Sequence, residues 1–85
     1  MRAVEIYTTP VCPYCAMAKR LLQKKGVRYS EIDVSRDPAL REAMIQRAKG
    51  RRTVPQIFIG GVHVGGSDDL HGLDSAGRLD AMLAD

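Results

Sequence analysis

The chain has 85 residues, of which 45% are apolar and 27% charged, with a formal charge of +3 and two cysteines. This length suits one domain around one modest core. The composition excludes a disulfide-built scaffold, and no apolar run is long enough to span a bilayer. No secretory leader is visible, so the expected setting is the cytosol. Basic residues crowd at Lys19, Arg20, Lys24 and Lys25, and again at Arg47, Lys49, Arg51 and Arg52. A solvated helix face explains the first group, and mild attraction of an anionic thiol substrate is the functional alternative. Nucleic acid is not expected as a partner, because no aromatic stacking array or binding motif accompanies the charge.

Residues 3–8 read as a strand with Val4 and Ile6 on one face. Residues 9–11 form a turn that delivers the chain to Cys12. Pro13 suits the first turn of a helix, where its missing N–H does no harm. That helix is expected to reach Lys25, with Met17, Ala18, Leu21 and Leu22 as its buried stripe and Gly26 as its stop. Residues 27–34 read as a second strand. Asp37 caps a second helix with Pro38 just inside it. Leu40, Met44, Ile45 and Ala48 form its apolar side, and Gly50 ends it.

Residues 54–59 read as a third strand. Gly60-Gly61 then joins it to a fourth at residues 62–64, because paired glycines between apolar runs signal a hairpin. After Gly65-Gly66 a last helical region covers residues 68–83, divided near Ser75 and Gly77. The first two strands enclose a helix, so they are expected to be parallel with a right-handed crossover. The hairpin adds antiparallel strands. The prediction is a single α/β domain over residues 1–85, in the order β-α-β-α-β-β-α, with a four-stranded mixed sheet and helices on both faces.

Cys12-Pro13-Tyr14-Cys15 lies where the first strand hands over to the first helix. The nucleophile in disulfide exchange is the thiolate. Unpaired N–H groups and the dipole at a helix N-terminus favour a negative charge there. Cys12 is therefore the expected attacking thiol. Cys15, nearly one turn further on, sits deeper and is the expected resolving thiol. Tyr14 offers an aromatic wall beside the sulfur. Two alternatives are a pair of inert buried thiols and a zinc site. Zinc would need His63 and His71 as further ligands, and neither has ligand spacing. His63 is expected on the strand face opposite Val62 and Val64, and His71 on an exposed helix face.

Three landmarks then occur in order: Cys12-Pro13-Tyr14-Cys15, Thr53-Val54-Pro55, and Gly65-Gly66-Ser67-Asp68-Asp69-Leu70. On these the chain resembles the glutaredoxins over essentially its whole length, and its size resembles their compact prokaryotic, dithiol type. The resemblance implies the thioredoxin fold, with a cis peptide between Val54 and Pro55. Read without the family, Pro55 is simply a strand-initiating proline. The resemblance also implies a glutathione site. The Val54 backbone would pair with the cysteinyl part, Pro55 would pack beside the reactive sulfur, Thr53 and Tyr14 would also contact glutathione, Gly66 with Asp68 and Asp69 would hold the γ-glutamyl end, and Arg41 would stand near the glycyl carboxylate. Without the family, Asp68 and Asp69 are ordinary first-turn acids and Arg41 is a solvated arginine. One departure is plain: many relatives carry a lysine where this chain has Thr9, and Lys19 or Arg52 are the candidate substitutes for that charge.

The function implied is a glutathione-dependent thiol–disulfide oxidoreductase acting on glutathionylated and disulfide-bonded proteins. Glutathione is its co-substrate, no metal is expected, no membrane is involved, and the monomer is the default state. The rivals are an iron–sulfur-bridged dimer using Cys12 and glutathione, an enzyme of the same fold fed by thioredoxin reductase, and a copper(I) carrier.

Overall fold

The computed structural model describes residues 1–84. Their order is β1 (Val4–Thr8), α1 (Pro13–Lys24), β2 (Ser30–Asp33), α2 (Pro38–Arg47), β3 (Gln56–Ile59), β4 (Val62–Gly65), α3 (Ser67–Ser75) and α4 (Leu79–Leu83). The strands lie in the order β2-β1-β3-β4. The β1–β2 pair, joined through α1, is parallel, and β3 runs antiparallel to both β1 and β4. This is the mixed sheet expected from the element order.

Strand alternation sorts the core onto two faces. Val4 and Ile6 of β1 and Ile57 and Ile59 of β3 meet Ala18, Leu21 and Leu22 of α1, Leu70 of α3, and Leu79 and Leu83 of α4. Tyr7 and Phe58 point the other way, against Met44, Ile45 and Ala48 of α2. Helices therefore cover both faces. Arg47, in the last turn of α2, ties that helix to the sheet. Its guanidinium makes two bonds of 3.1 Å to Glu5, donates to the Tyr7 hydroxyl at 3.0 Å, and lies 4.0 Å from the Phe58 ring centroid.

Several boundaries differ from the sequence expectation, each for a local reason. Val27 does not begin β2. Its N–H donates to the Leu22 carbonyl at 3.0 Å while Gly26, at φ 71°, donates to Gln23 at 2.9 Å. This pair of bonds closes α1, and the Val27 side chain is buried as the anchor of that cap. The ladder of β2 starts only at Ser30. Similarly β3 starts at Gln56, after Pro55, which has no N–H to give to a ladder. Met17 and Leu40, expected in buried stripes, are 42% and 39% exposed. Each lies at the margin of its helix face, so the apolar arc contacting the sheet is narrower than the run of apolar residues. The last helical region divides after Ser75, as its Ser and Gly suggest, with Gly77 at φ 71° making the corner.

Candidate active site

Cys12 is the N-cap of α1, with extended backbone (φ −146°, ψ 104°) and Pro13 directly after it. The N–H of Cys15 donates to Cys12 Sγ at 3.1 Å. A sulfur thus takes the place that a serine or aspartate oxygen ordinarily fills at a helix start. Both thiols are free. Cys12 is half-buried and reachable, whereas Cys15 is 1% exposed. Burial, and then the neighbouring Cys12 sulfur, push the Cys15 thiol up to about 12.

Lys19, one turn beyond Cys15, does not stand in for the missing lysine at Thr9. Its ammonium is 2.9 Å from Glu31, which also accepts the buried Thr8 hydroxyl at 2.7 Å. These two partners, Thr8 first, hold the Glu31 carboxyl below its usual range.

The second wall comes from the segment before β3. The Val54–Pro55 peptide is cis, and the Val54 carbonyl oxygen is 3.8 Å from Cys12 Sγ. The third wall is the start of α3. Asp69 Oδ2 accepts the Gly66 N–H at 2.8 Å and lies 3.2 Å from Arg51 Nη1. The Gly66 N–H, with Arg51 adding to it, keeps the Asp69 carboxyl below the usual aspartate range. Gly65, at φ 119°, has to be glycine here. A Cβ would strike Asp69 Oδ2 and come within 2.8 Å of Arg51 Nη1.

Between these walls is a cleft of roughly 290 Å³ lined by Tyr14, Arg51, Thr53, Val54, Pro55, Gly66, Ser67, Asp68 and Asp69. Segments separated by up to about two-thirds of the chain thus converge beside one sulfur. Arg41 is half-buried on α2 and does not line the cleft. Arg52 is exposed and does not line it either; the cation on the wall is Arg51. In the sequence Arg51 is only one member of a basic run, and Ser67 lies inside the third landmark with nothing to mark it as a wall residue. The signal for Arg51 was its position two residues before Thr53, but spacing alone does not say which of two adjacent arginines turns inward. His63 lies on the Phe58 side of the sheet, opposite Val64, as alternation implies. His71 is partly buried instead of exposed, its Nδ1 2.8 Å from the Ser67 carbonyl oxygen.

The glutaredoxin family model matches residues 4–64. The chain is 56% identical to a glutaredoxin of Pseudomonas aeruginosa, over 99% of each chain. It is 54% identical to glutaredoxin 3 of Escherichia coli, over 98% of this chain and 99% of the other. Among solved structures, a glutaredoxin from Brucella melitensis superposes at TM-score 0.86 with 58% identity, covering 98% of this chain and 89% of that one. A buckwheat glutaredoxin–glutathione complex superposes at 0.87 with 34% identity, covering 96% and 76%. The family model covers most of the chain and curated relatives match it over nearly its full length at more than half identity, so this chain, with its cysteine pair capping a helix beside a cis-proline loop, belongs to the glutaredoxin family of thiol–disulfide oxidoreductases.

Proposed function

We propose that this chain reduces glutathione mixed disulfides and protein disulfides with glutathione as co-substrate, Cys12 acting as nucleophile and Cys15 as resolving thiol. The observation that carries this reading is the asymmetry of the pair: Cys12 Sγ accepts the Cys15 N–H at 3.1 Å at the mouth of the cleft, while Cys15 is 1% exposed. An incoming disulfide can meet only the first sulfur.

In the first route the Cys12 thiolate attacks the glutathione sulfur of a glutathionylated protein. The S–S bond breaks, the protein thiolate leaves and takes a proton, and glutathione stays on Cys12. A second glutathione thiolate attacks that sulfur, releasing oxidised glutathione and restoring Cys12. In the second route Cys12 attacks a protein disulfide. Cys15 then loses its proton and attacks Cys12 Sγ, freeing the protein dithiol and leaving a Cys12–Cys15 bridge that two glutathiones reduce.

The cleft suits glutathione on chemical grounds. The Val54 backbone lies outside the ladder, which starts at Gln56, and suits strand-like pairing with the cysteinyl unit. The N–H groups at the start of α3 beyond Gly66, whose own N–H is taken by Asp69, suit a carboxylate, and Asp68 and Asp69 suit an ammonium. Tyr14, 58% exposed, and Thr53 and Pro55 complete the walls. Arg51 is better placed than Arg41 to meet a second carboxylate, because it alone of the two lines the cleft. The buckwheat relative was solved with glutathione, which supports the assignment. We assign the activity to a cytosolic, monomeric, single-domain protein, since glutathione can reduce the pair only where the glutathione pool is itself kept reduced.

Two variants test the roles. Cys12→Ser is expected to abolish both routes. Cys15→Ser is expected to spare removal of glutathione from a mixed disulfide but to stop two-cysteine reduction of a protein disulfide. Greater damage from Cys15→Ser in both assays would reverse the assignment. Activity that is independent of glutathione concentration would remove glutathione from it.

A further inference from the structure

Gln56 is wholly buried at the start of β3, immediately after Pro55. Its Nε2 is 2.9 Å from the Thr53 carbonyl oxygen and 3.2 Å from Thr53 Oγ1. Its Oε1 is 2.7 Å from His63 Nε2 on β4. These contacts determine one another. A carbonyl oxygen only accepts, so the amide nitrogen must face Thr53. The amide oxygen then faces His63 and also only accepts, so His63 Nε2 must carry a hydrogen. The two amide hydrogens are spent on the two Thr53 oxygens. The hydrogen of the Thr53 hydroxyl is therefore turned away from Gln56, and Thr53 is exposed on the wall of the cleft.

The far end of this relay is held by packing. The His63 ring lies 4.9 Å from the Phe58 ring centroid, tilted by 30°. Burial, with Arg51 and Lys49 assisting, lowers the His63 pKa from its usual value, so the neutral ring is the form present at neutral pH.

We propose that His63 and Gln56 are positioning residues that set the Thr53 hydroxyl as a hydrogen-bond donor into the cleft, aimed at an acceptor oxygen of bound glutathione. The proposal deepens the glutathione reading above and rests on it. Gln56 touches no ligand. It holds the loop that does; the Thr53 carbonyl sets which way the amide faces, and the His63 N–H anchors the other end of that amide so that Thr53 stays free to donate.

The test uses His63→Phe, which keeps the ring against Phe58 but removes the N–H, Thr53→Val, which keeps the shape without the hydroxyl, and the double variant. Glutathione kinetics, thermal unfolding and long-range 1H–15N NMR of the His63 ring are measured. Each single variant is expected to raise KM for glutathione by about 3–10-fold, the worth of one hydrogen bond, with kcat changed less than about twofold. The double variant is expected to do no worse than the more affected single one, because both changes remove the same bond. The wild-type ring is expected to carry its proton on Nε2. Additive losses, a proton on Nδ1, or a lowered Tm with KM unmoved in His63→Phe would each overturn the relay. If wild-type activity is independent of glutathione concentration, the site reading has failed, and the ring tautomer alone then decides whether the relay exists.

Discussion

The backbone N–H of Cys15 points at Cys12 Sγ from 3.1 Å, while the Cys15 side chain is buried behind it. One helical turn thus gives two identical side chains opposite environments. The outer sulfur receives a backbone donor and stays accessible. The inner one is desolvated and has the outer sulfur as its neighbour, so it holds its proton more tightly.

Cys15 should show this in its titration. Its thiol is pushed up to about 12, by burial first and by the Cys12 sulfur second. In Cys12→Ser the second cause is gone and the first remains. Alkylation of Cys15 in that variant is expected to follow a pKa lower than in the wild type yet above the ordinary thiol value of 9.0. The linked stability has a definite sign. A folded-state pKa raised above the unfolded one stabilises fully below about pH 9 and loses that stabilisation as pH climbs towards 12. Urea unfolding between these limits is expected to show a shallower fall for Cys15→Ser than for wild type.

Asp69 carries the opposite sign. The Gly66 N–H, and Arg51 after it, depress its pKa below 3.8. Its contribution is present above that value and is lost as pH falls through the depressed one. Asp69→Asn is expected to flatten the acid limb of a stability–pH curve. At neutral pH it should cost about 1 kcal/mol or less, since the carboxylate caps α3 but is half exposed. Chemical denaturation from neutral pH down to about pH 2 reads both effects.

Gly65→Ala tests the corner before α3. The residue sits at φ 119°, and its new methyl would strike the Asp69 carboxylate. A loss of roughly 1–3 kcal/mol is expected from the backbone conformation, with the methyl clash adding to it. KM for glutathione is expected to rise in parallel, because Asp69 and Arg51 would both have to move. A variant as stable as wild type with unchanged KM would show that neither side chain is held where the structure has it.

Arg47 tests the opposite face of the sheet. Glu5, then Tyr7, raise its pKa further, so its charge is permanent. Arg47→Ala is expected to lower stability by about 1–2 kcal/mol, discounted for partial exposure, through lost bonds to Glu5 and lost cover over Phe58. Arg47→Lys should recover little of this, because an ammonium cannot make the paired bonds or stack on the ring. Cys12 alkylation should be unchanged in both, since α2 packs on the side of the sheet away from α1.

Local chemistry along the chain is enough to read Cys12-Pro13-Tyr14-Cys15 as a capped helix start, Asp37-Pro38 as another, and four strands with their succession along the chain, though not their order in the sheet. Each depends on neighbours within a few residues: a proline lacking an N–H, a glycine free to take positive φ, an alternation of apolar side chains. The resemblance to a family added the cis Val54–Pro55 bond and most of the cleft wall. Long-range packing decided the rest. Which of Arg51 and Arg52 faces the cleft, that Lys19 is committed to Glu31, and that Met17 lies outside the buried arc are all settled by partners from other elements. The clearest case is Gln56. In sequence it is one more strand residue. Only the pairing of β3 with β4 brings His63 to its amide, and only burial forces that amide to choose an orientation.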